Sequence, residues 1–314
     1  MALLPHLSSI SRAIGNITQL KELDLSVNSL TGIIPERIFH LDNLQKLAMS
    51  SNDLSGFLPA IGNMKALEEL MLRGNDLTGS IPFSIENLSN MQSLDLSFNK
   101  LTGAIPSTIG NLSNVQEINL AYNNLNGFIP QEIHNLRELR SLSMSSNNLS
   151  GPLPPTIFNM SSLEYLSFGN NRLSGALPSE IGNMRALQAL FLYNNSFIGP
   201  ISPTIGNLSN LVILFLSFNY LNGPIPSTIG NLAYLEDLNL LSNKLNGAIP
   251  SSFGNLQNLF RLRITYNKLN GLIPSSIGNL SAIMPVPSPT KLTFPELQVL
   301  DISRNAFAGS VPER

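Results

Sequence analysis

Apolar and polar positions along the 314-residue chain follow one repeating pattern. A short alternating run is followed by Asn, another Leu, a Gly and an Ile-Pro or Leu-Pro pair. Residues 208–231, LSNLVILFLSFNYLNGPIPSTIGN, give one unit in full. The Asn after the run recurs at Asn28, Asn52, Asn75, Asn99, Asn123, Asn147, Asn171, Asn195, Asn219, Asn243, Asn267 and Asn305. Each step is 24 residues, except 23 from Asn52 to Asn75 and 38 from Asn267 to Asn305. Self-similarity at this period marks a solenoid, in which each unit buries its apolar side only by stacking on its neighbours.

Each column has a physical task. The alternation in Leu214-Phe215-Leu216 predicts a short strand with two residues facing in and one out. One strand per repeat in a constant direction predicts a long parallel sheet, with the returning half of each repeat covering its buried side. The amide of Asn219 sits where the chain turns inward, so it is expected to satisfy backbone groups in its own coil and the next. Leu221 fills the core, Gly223 suits a tight bend, and Ile225-Pro226 enforces an extended return. Ile229-Gly230-Asn231-Leu232 then closes the coil with two more core residues.

The segment L-x-x-N-x-L-[ST/N]-G-x-[IL]-P, carried over roughly residues 13–314, resembles the plant-type leucine-rich-repeat family. Its members include the ectodomains of receptor-like kinases and receptor-like proteins, and inhibitors of polygalacturonase. The resemblance implies an α/β leucine-rich-repeat solenoid: a right-handed superhelix with a concave parallel β-sheet and one short strand per 24-residue repeat. The returning segments would be extended and 3-10 or short helical. Residues 1–314 are expected to form a single array of about twelve repeats with ragged, uncapped ends. The Cys-containing caps usual in the family are missing, since the chain has no Cys. That points to a fragment, a truncated relative or an incomplete gene reading. The long step reflects 14 extra residues at 282–295, including Met284-Pro285-Val286-Pro287-Ser288-Pro289. This short Pro-rich insertion reads as an outer loop or a retained splice segment, being far shorter than the ligand-binding islands of brassinosteroid-type receptors.

Composition narrows the chemistry. Charged residues are 12% of the chain and the formal net charge is −2, so no basic stripe exists to neutralise a phosphate backbone and nucleic acid is not an expected partner. With no Cys, disulfides, thiolate metal sites and thiol nucleophiles are excluded. No stretch reaches the roughly 18 apolar residues of a membrane span, and Met1-Ala-Leu-Leu-Pro5-His6 lacks the basic segment and apolar run of a leader.

No catalytic set emerges, and no cofactor or metal is expected. His40 and His134 fall in or beside a turn column usually held by Gly, and His6 lies in the irregular start. The strand carboxylates Asp24, Asp95 and Asp301 stand repeats apart, where paired-carboxylate chemistry needs two within about 5–10 Å. Eight glycosylation sequons occur, at Asn16, Asn87, Asn111, Asn148, Asn159, Asn194, Asn207 and Asn279. Six share the Gly-Asn-Leu turn column, which also keeps Asn where no sequon follows (Asn63, Asn135, Asn183, Asn231, Asn255). The column is therefore wanted by the fold as well.

The outward strand positions supply the candidate binding surface. Tyr165, Phe191, Tyr193, Ile213, Phe215 and Phe218 come from three consecutive repeats, where early repeats carry Asp24, Ser26, Ala48, Ser50, Asp95 and Ser97. Clustered outward aromatics favour a peptide or protein contact. Against this, an aromatic just before the ladder Asn (Phe98, Tyr122, Phe218, Tyr266) is ordinary in the family. The expected role is a non-catalytic binding ectodomain on the extracellular face of the plasma membrane or in the apoplast. It would recognise a peptide, a microbial pattern or a co-receptor in defence or development signalling. The alternatives are a secreted inhibitor of cell-wall hydrolases and a truncated repeat-only remnant.

Overall fold

The computed structural model describes residues 8–281 and 297–308. His6, the whole 282–295 insertion and the last six residues lie outside them. The chain forms two compact units, Met1–Ser150 and Gly151–Arg314.

Each unit stacks repeats so that equivalent strands pair side by side. In the first, the short strands are Glu22–Asp24, Lys46–Ala48, Glu69–Met71, Ser93–Asp95, Glu117–Asn119 and Ser141–Ser143. All pair in parallel with the next. In the second they are Tyr165–Ser167, Ala189–Phe191, Ile213–Phe215, Asp237–Asn239, Arg261–Arg263 and Val299–Asp301. These too are parallel in sequence order. Along Ile213–Phe215, Leu214 is buried while its neighbours keep partial exposure, as the two-residue period requires.

The structure adds a second strand that the one-strand reading omits. After the ladder Asn, segments such as Ser196–Pro200 and Tyr220–Pro224 pair in parallel with their counterparts. Once coils are stacked at strand spacing, any extended segment lies beside the same segment of its neighbour, and its N–H and C=O groups pair there. The Gly in this segment is conformational: Gly223 has φ +74, and a Cβ there would meet nothing closer than 3.4 Å.

The return then enters a five-residue 3-10 helix. Ser227–Asn231 is preceded by Pro226 at φ −67 and closed by Leu232 N–H donating to Ile229 C=O. Short 3-10 turns suit this place because the coil must reverse within a few residues. The Gly here is required by packing: a Cβ on Gly206 would sit 2.3 Å from the Thr228 carbonyl oxygen of the next coil. Leu214, Leu216, Leu221, Ile225, Ile229 and Leu232 are all at most 3% exposed, each contributing about 2 kcal/mol by burial.

The ladder Asn registers one coil on another. Asn219 donates to the carbonyls of Leu216 and Ser217 in its own coil and to Leu192 in the preceding one, at 3.0–3.2 Å. Its Oδ1 accepts from the N–H of Phe197, also in the preceding coil, at 3.0 Å. The bridge thus runs backward along the chain rather than to the next coil. The reason is that the carbonyls left over at the end of a strand lie on the side of the coil already laid down. A second, exposed ladder was not legible beforehand. Asn43, Asn90, Asn114, Asn210 and Asn258 each donate to a carbonyl 25 residues earlier. Thr108, Thr204, Thr228, Ser252 and Ser276 do the same from the 3-10 helices.

Replacing Asn219 by Ala should lower the unfolding free energy by about 3 kcal/mol, because a buried N–H and three carbonyls lose a partner. Asn210→Ala, which removes one exposed bond, should cost under about 1 kcal/mol. Urea unfolding followed by circular dichroism measures both, and equal losses would contradict the role given to the buried ladder.

Candidate functional site

The turn that aims the ladder Asn places the residue before it in the left-handed region. Phe98, Tyr122, Phe218 and Tyr266 have φ of 53–54. Val27, Ser51, Asn170, Asn194, Ser242 and Arg304 occupy the same column. The backbone therefore accepts small or large side chains, and an aromatic there is not dictated by the turn. In the first unit Phe98 and Tyr122 stack at 4.2 Å between ring centroids, with the Arg73 guanidinium 4.5 Å above Phe98. The rest of that face is mostly polar, apart from Ala48, Met71 and Ala121, with Lys46 paired to Glu69 at 2.9 Å.

The second unit differs. Strand register sets Tyr165 opposite Ala189 and Phe191 opposite Phe215. Tyr165 and Phe191 meet at 5.4 Å, and Phe191 and Phe215 meet edge to face at 5.2 Å, the arrangement that ring quadrupoles favour. Ile213 lies between Ala189 and Asp237 in register, completing the apolar face. Tyr193 lies flat over Gly169, where a Cβ would come within 2.5 Å of its ring. Phe218 stands at the margin, 51% exposed. Of the six residues singled out from sequence, the structure joins Tyr165, Phe191 and Phe215 in direct ring contact. Ile213, Tyr193 and Phe218 sit around them.

A charged cluster bounds this face and carried no periodic signal. Arg263 donates to Asp237 at 3.2 Å, and Arg261 lies 3.6 Å from the same carboxylate. The Arg263 guanidinium is also 5.8 Å from the Phe215 ring centroid. Two outward Arg on one strand, with Asp one repeat earlier, was the available clue. Burial raises the Asp237 carboxyl above the ordinary carboxylate range, against the pull of Arg263 and Arg261. A raised acid opposes folding once ionised, so its unfavourable contribution is absent at low pH and develops as pH rises through the folded value.

At the opposite ends of the same strands, Gln188, Asn210, Val212, Tyr234, Glu236 and Asn258 line a recess of about 400 Å³. Tyr234 is 60% exposed and occupies the column of the exposed Asn ladder.

The remaining expected residues fall into structural roles. Asp24 and Asp95 each accept the N–H two residues on at 2.9 Å, and Asp301 does so at 3.3 Å. Their carboxylates cap turns. His40 and His134 are exposed at the ends of 3-10 helices. Among the described residues no group of three His, Asp or Glu is placed to hold a metal, and no helix is long and apolar enough to cross a membrane. Asn16, Asn87, Asn111, Asn159 and Asn207 each close a 3-10 helix, and Asn279 lies within Ser275–Ser281; all six are exposed. Asn148 opens a strand and is half-buried, whereas Asn194 is exposed with φ 51.

Leucine-rich-repeat profiles match residues 6–54 and 89–149, and in a second form 66–88, 162–184, 186–208, 210–232, 234–256 and 258–280. The chain belongs to the leucine-rich-repeat family. Several of the solved structures it resembles are plant receptor ectodomains, and a Leptospira interrogans leucine-rich-repeat protein and a plant ice-binding protein superpose as well, with TM-scores of 0.67 and 0.61 at 31% identity each. Over 44 residues it is 54% identical to Receptor-like protein 52 of Arabidopsis thaliana, covering 14% of this chain and 5% of that protein. The crystal structure of PEPR1–AtPEP1 superposes with a TM-score of 0.88 at 34% identity, covering 97% of this chain and 41% of that one. The Arabidopsis receptor kinase HAESA, in complex with the peptide hormone IDA and the co-receptor SERK1, gives 0.82 at 32% identity, covering 98% and 58%. The chain thus spans about half the length, or less, of the receptor ectodomains it resembles.

Asp237→Asn should gain stability relative to the parent as pH rises from about 3 to about 7. Denaturant midpoints across that range measure the effect, and a stability difference that does not change with pH would contradict the assignment.

Proposed function

We propose that this chain is ectodomain material of a plant receptor-like kinase or receptor-like protein. It binds a peptide or protein ligand through a face centred on Tyr165, Phe191, Ile213 and Phe215, with Tyr193 and Phe218 at its C-terminal margin, and performs no chemistry. The observation that carries this reading is the run of packed rings Tyr165–Phe191–Phe215 on outward strand positions, ending at the Arg263–Asp237 pair. These side chains are held by register on a rigid sheet, so little ordering is needed on binding. Arg261 and Arg263 are matched beside the rings by Asp237 and by Asp301, which lies opposite Arg263 in register, so the margin offers paired charges to a ligand with apolar side chains next to polar or charged groups.

The likeness to receptors solved with peptide ligands and a co-receptor supports the same ligand class. In this reading the chain lies on the extracellular face of the plasma membrane. The exposed sequons at the 3-10 helices (Asn16, Asn87, Asn111, Asn159, Asn207 and Asn279) carry glycans there.

The test uses peptides selected on the parent chain from a displayed random library. The double variant Phe191→Ser, Phe215→Ser should bind them with a loss of about 2 kcal/mol, roughly thirtyfold. Unchanged affinity with an unaltered circular dichroism spectrum would remove this face from the account.

A further inference from the structure

Six of the eight sequons lie in 3-10 helices, at the closing Asn or its equivalent, but Asn194 lies on the aromatic side of the molecule. It follows the strand Ala189–Phe191 by three residues, directly after Tyr193. Its backbone N–H donates to Ser217 of the following coil at 2.9 Å, and that of Asn195 donates to Phe218 at 3.1 Å. Asn194 and Phe218 are therefore neighbours in the left-handed column, at the C-terminal ends of the strands that carry Phe191 and Phe215. On the other side its Nδ2 donates to Asn170 Oδ1 at 2.8 Å. The side chain is exposed, and the sequon is completed by Ser196.

From this placement, and resting on the extracellular reading above, we infer that Asn194 carries an N-linked glycan that shields the C-terminal margin of the aromatic face. In the transfer, Nδ2 bonds to C1 of N-acetylglucosamine as the sugar–phosphate bond of a lipid pyrophosphate donor breaks. One amide proton leaves to solvent. The second N–H remains and can keep the bond to Asn170, so modification does not require that contact to be lost. The sugar rises between Asn170 and Phe218, and its apolar face can pack on the half-exposed Phe218 ring. A ligand then reaches Phe191 and Phe215 from the opposite ends of the strands. There Gln188, Val212, Tyr234 and Glu236 line an open recess in which no sequon falls.

The test expresses the full chain, secreted from plant cells behind a leader, as parent, Ser196→Ala and Ser196→Thr. The first substitution destroys the sequon and the second keeps it, and enzymatic deglycosylation of the folded parent, which leaves Ser196 in place, must reproduce the first if the sugar and not the hydroxyl is responsible. Glycopeptide mass spectrometry reads occupancy, hydroxyl-radical footprinting reads ring exposure, and circular dichroism confirms folding. Asn194 should be occupied in the parent and in Ser196→Thr. Oxidation of Tyr193 and Phe218 should rise severalfold in Ser196→Ala only, while Tyr234, at the other margin, stays constant. Asn194 bare while Asn87, Asn111 and Asn207 are occupied would overturn the inference alone. So would an occupied Asn194 whose loss leaves Tyr193 and Phe218 oxidation unchanged. Every sequon bare would sink the extracellular reading and this inference with it.

Discussion

One buried amide per coil holds these repeats in register. Asn219 is 6% exposed and ties together two coils through four hydrogen bonds to main-chain groups that have turned out of the strand. Asn75, Asn99, Asn123, Asn147, Asn195 and Asn243 make equivalent bridges, also nearly inaccessible to water. A shorter or apolar side chain would leave those groups buried and unpaired. The bridge fixes where one coil meets the one before it and not the length of the coil: Asn75 and Asn305 make it across steps of 23 and 38 residues.

The ladder also sets the left-handed residue before each Asn, and through it the second strand. With the coil fixed at strand spacing, the segment after the Asn has no choice but to pair with its counterpart, and Gly223 and its equivalents supply the positive φ that lets the chain continue. The exposed Asn and hydroxyl ladders take up further carbonyls on the coil's outside. Because the packing and the main-chain bonds are met by inward residues and by these ladders, outward strand side chains carry little structural duty. The first unit uses that freedom mostly for polar groups, with one stacked Phe98–Tyr122 pair, whereas the second packs three rings and sets a buried carboxylate between two arginines beside them.

Periodicity is a property of the chain itself, so the repeat, the parallel strands, the buried Leu and Ile columns and the ladder Asn were all legible in the sequence. So was the membership of Tyr165, Phe191 and Phe215 in one patch, since residues 24 apart must lie on adjacent strands. Direction was not legible: nothing in the letters says that Asn219 reaches back to Leu192 and Phe197 rather than forward. The charged neighbours were also missed. Asp237, Arg261 and Arg263 stand in the same outward columns as the rings, but the sequence alone does not show that Arg263 extends to both Asp237 and Phe215.

By itself, then, the sequence determined the solenoid and which residues face outward, because inward and outward positions are set by a strict local period. Tertiary structure alone decided which outward groups touch, how each ring is oriented, and that the sequon at Asn194 stands beside the rings while six other sequons lie in the 3-10 helices. The reason is physical: column membership is a count along the chain, whereas contact depends on rotamer, twist and the length of side chains reaching across strands.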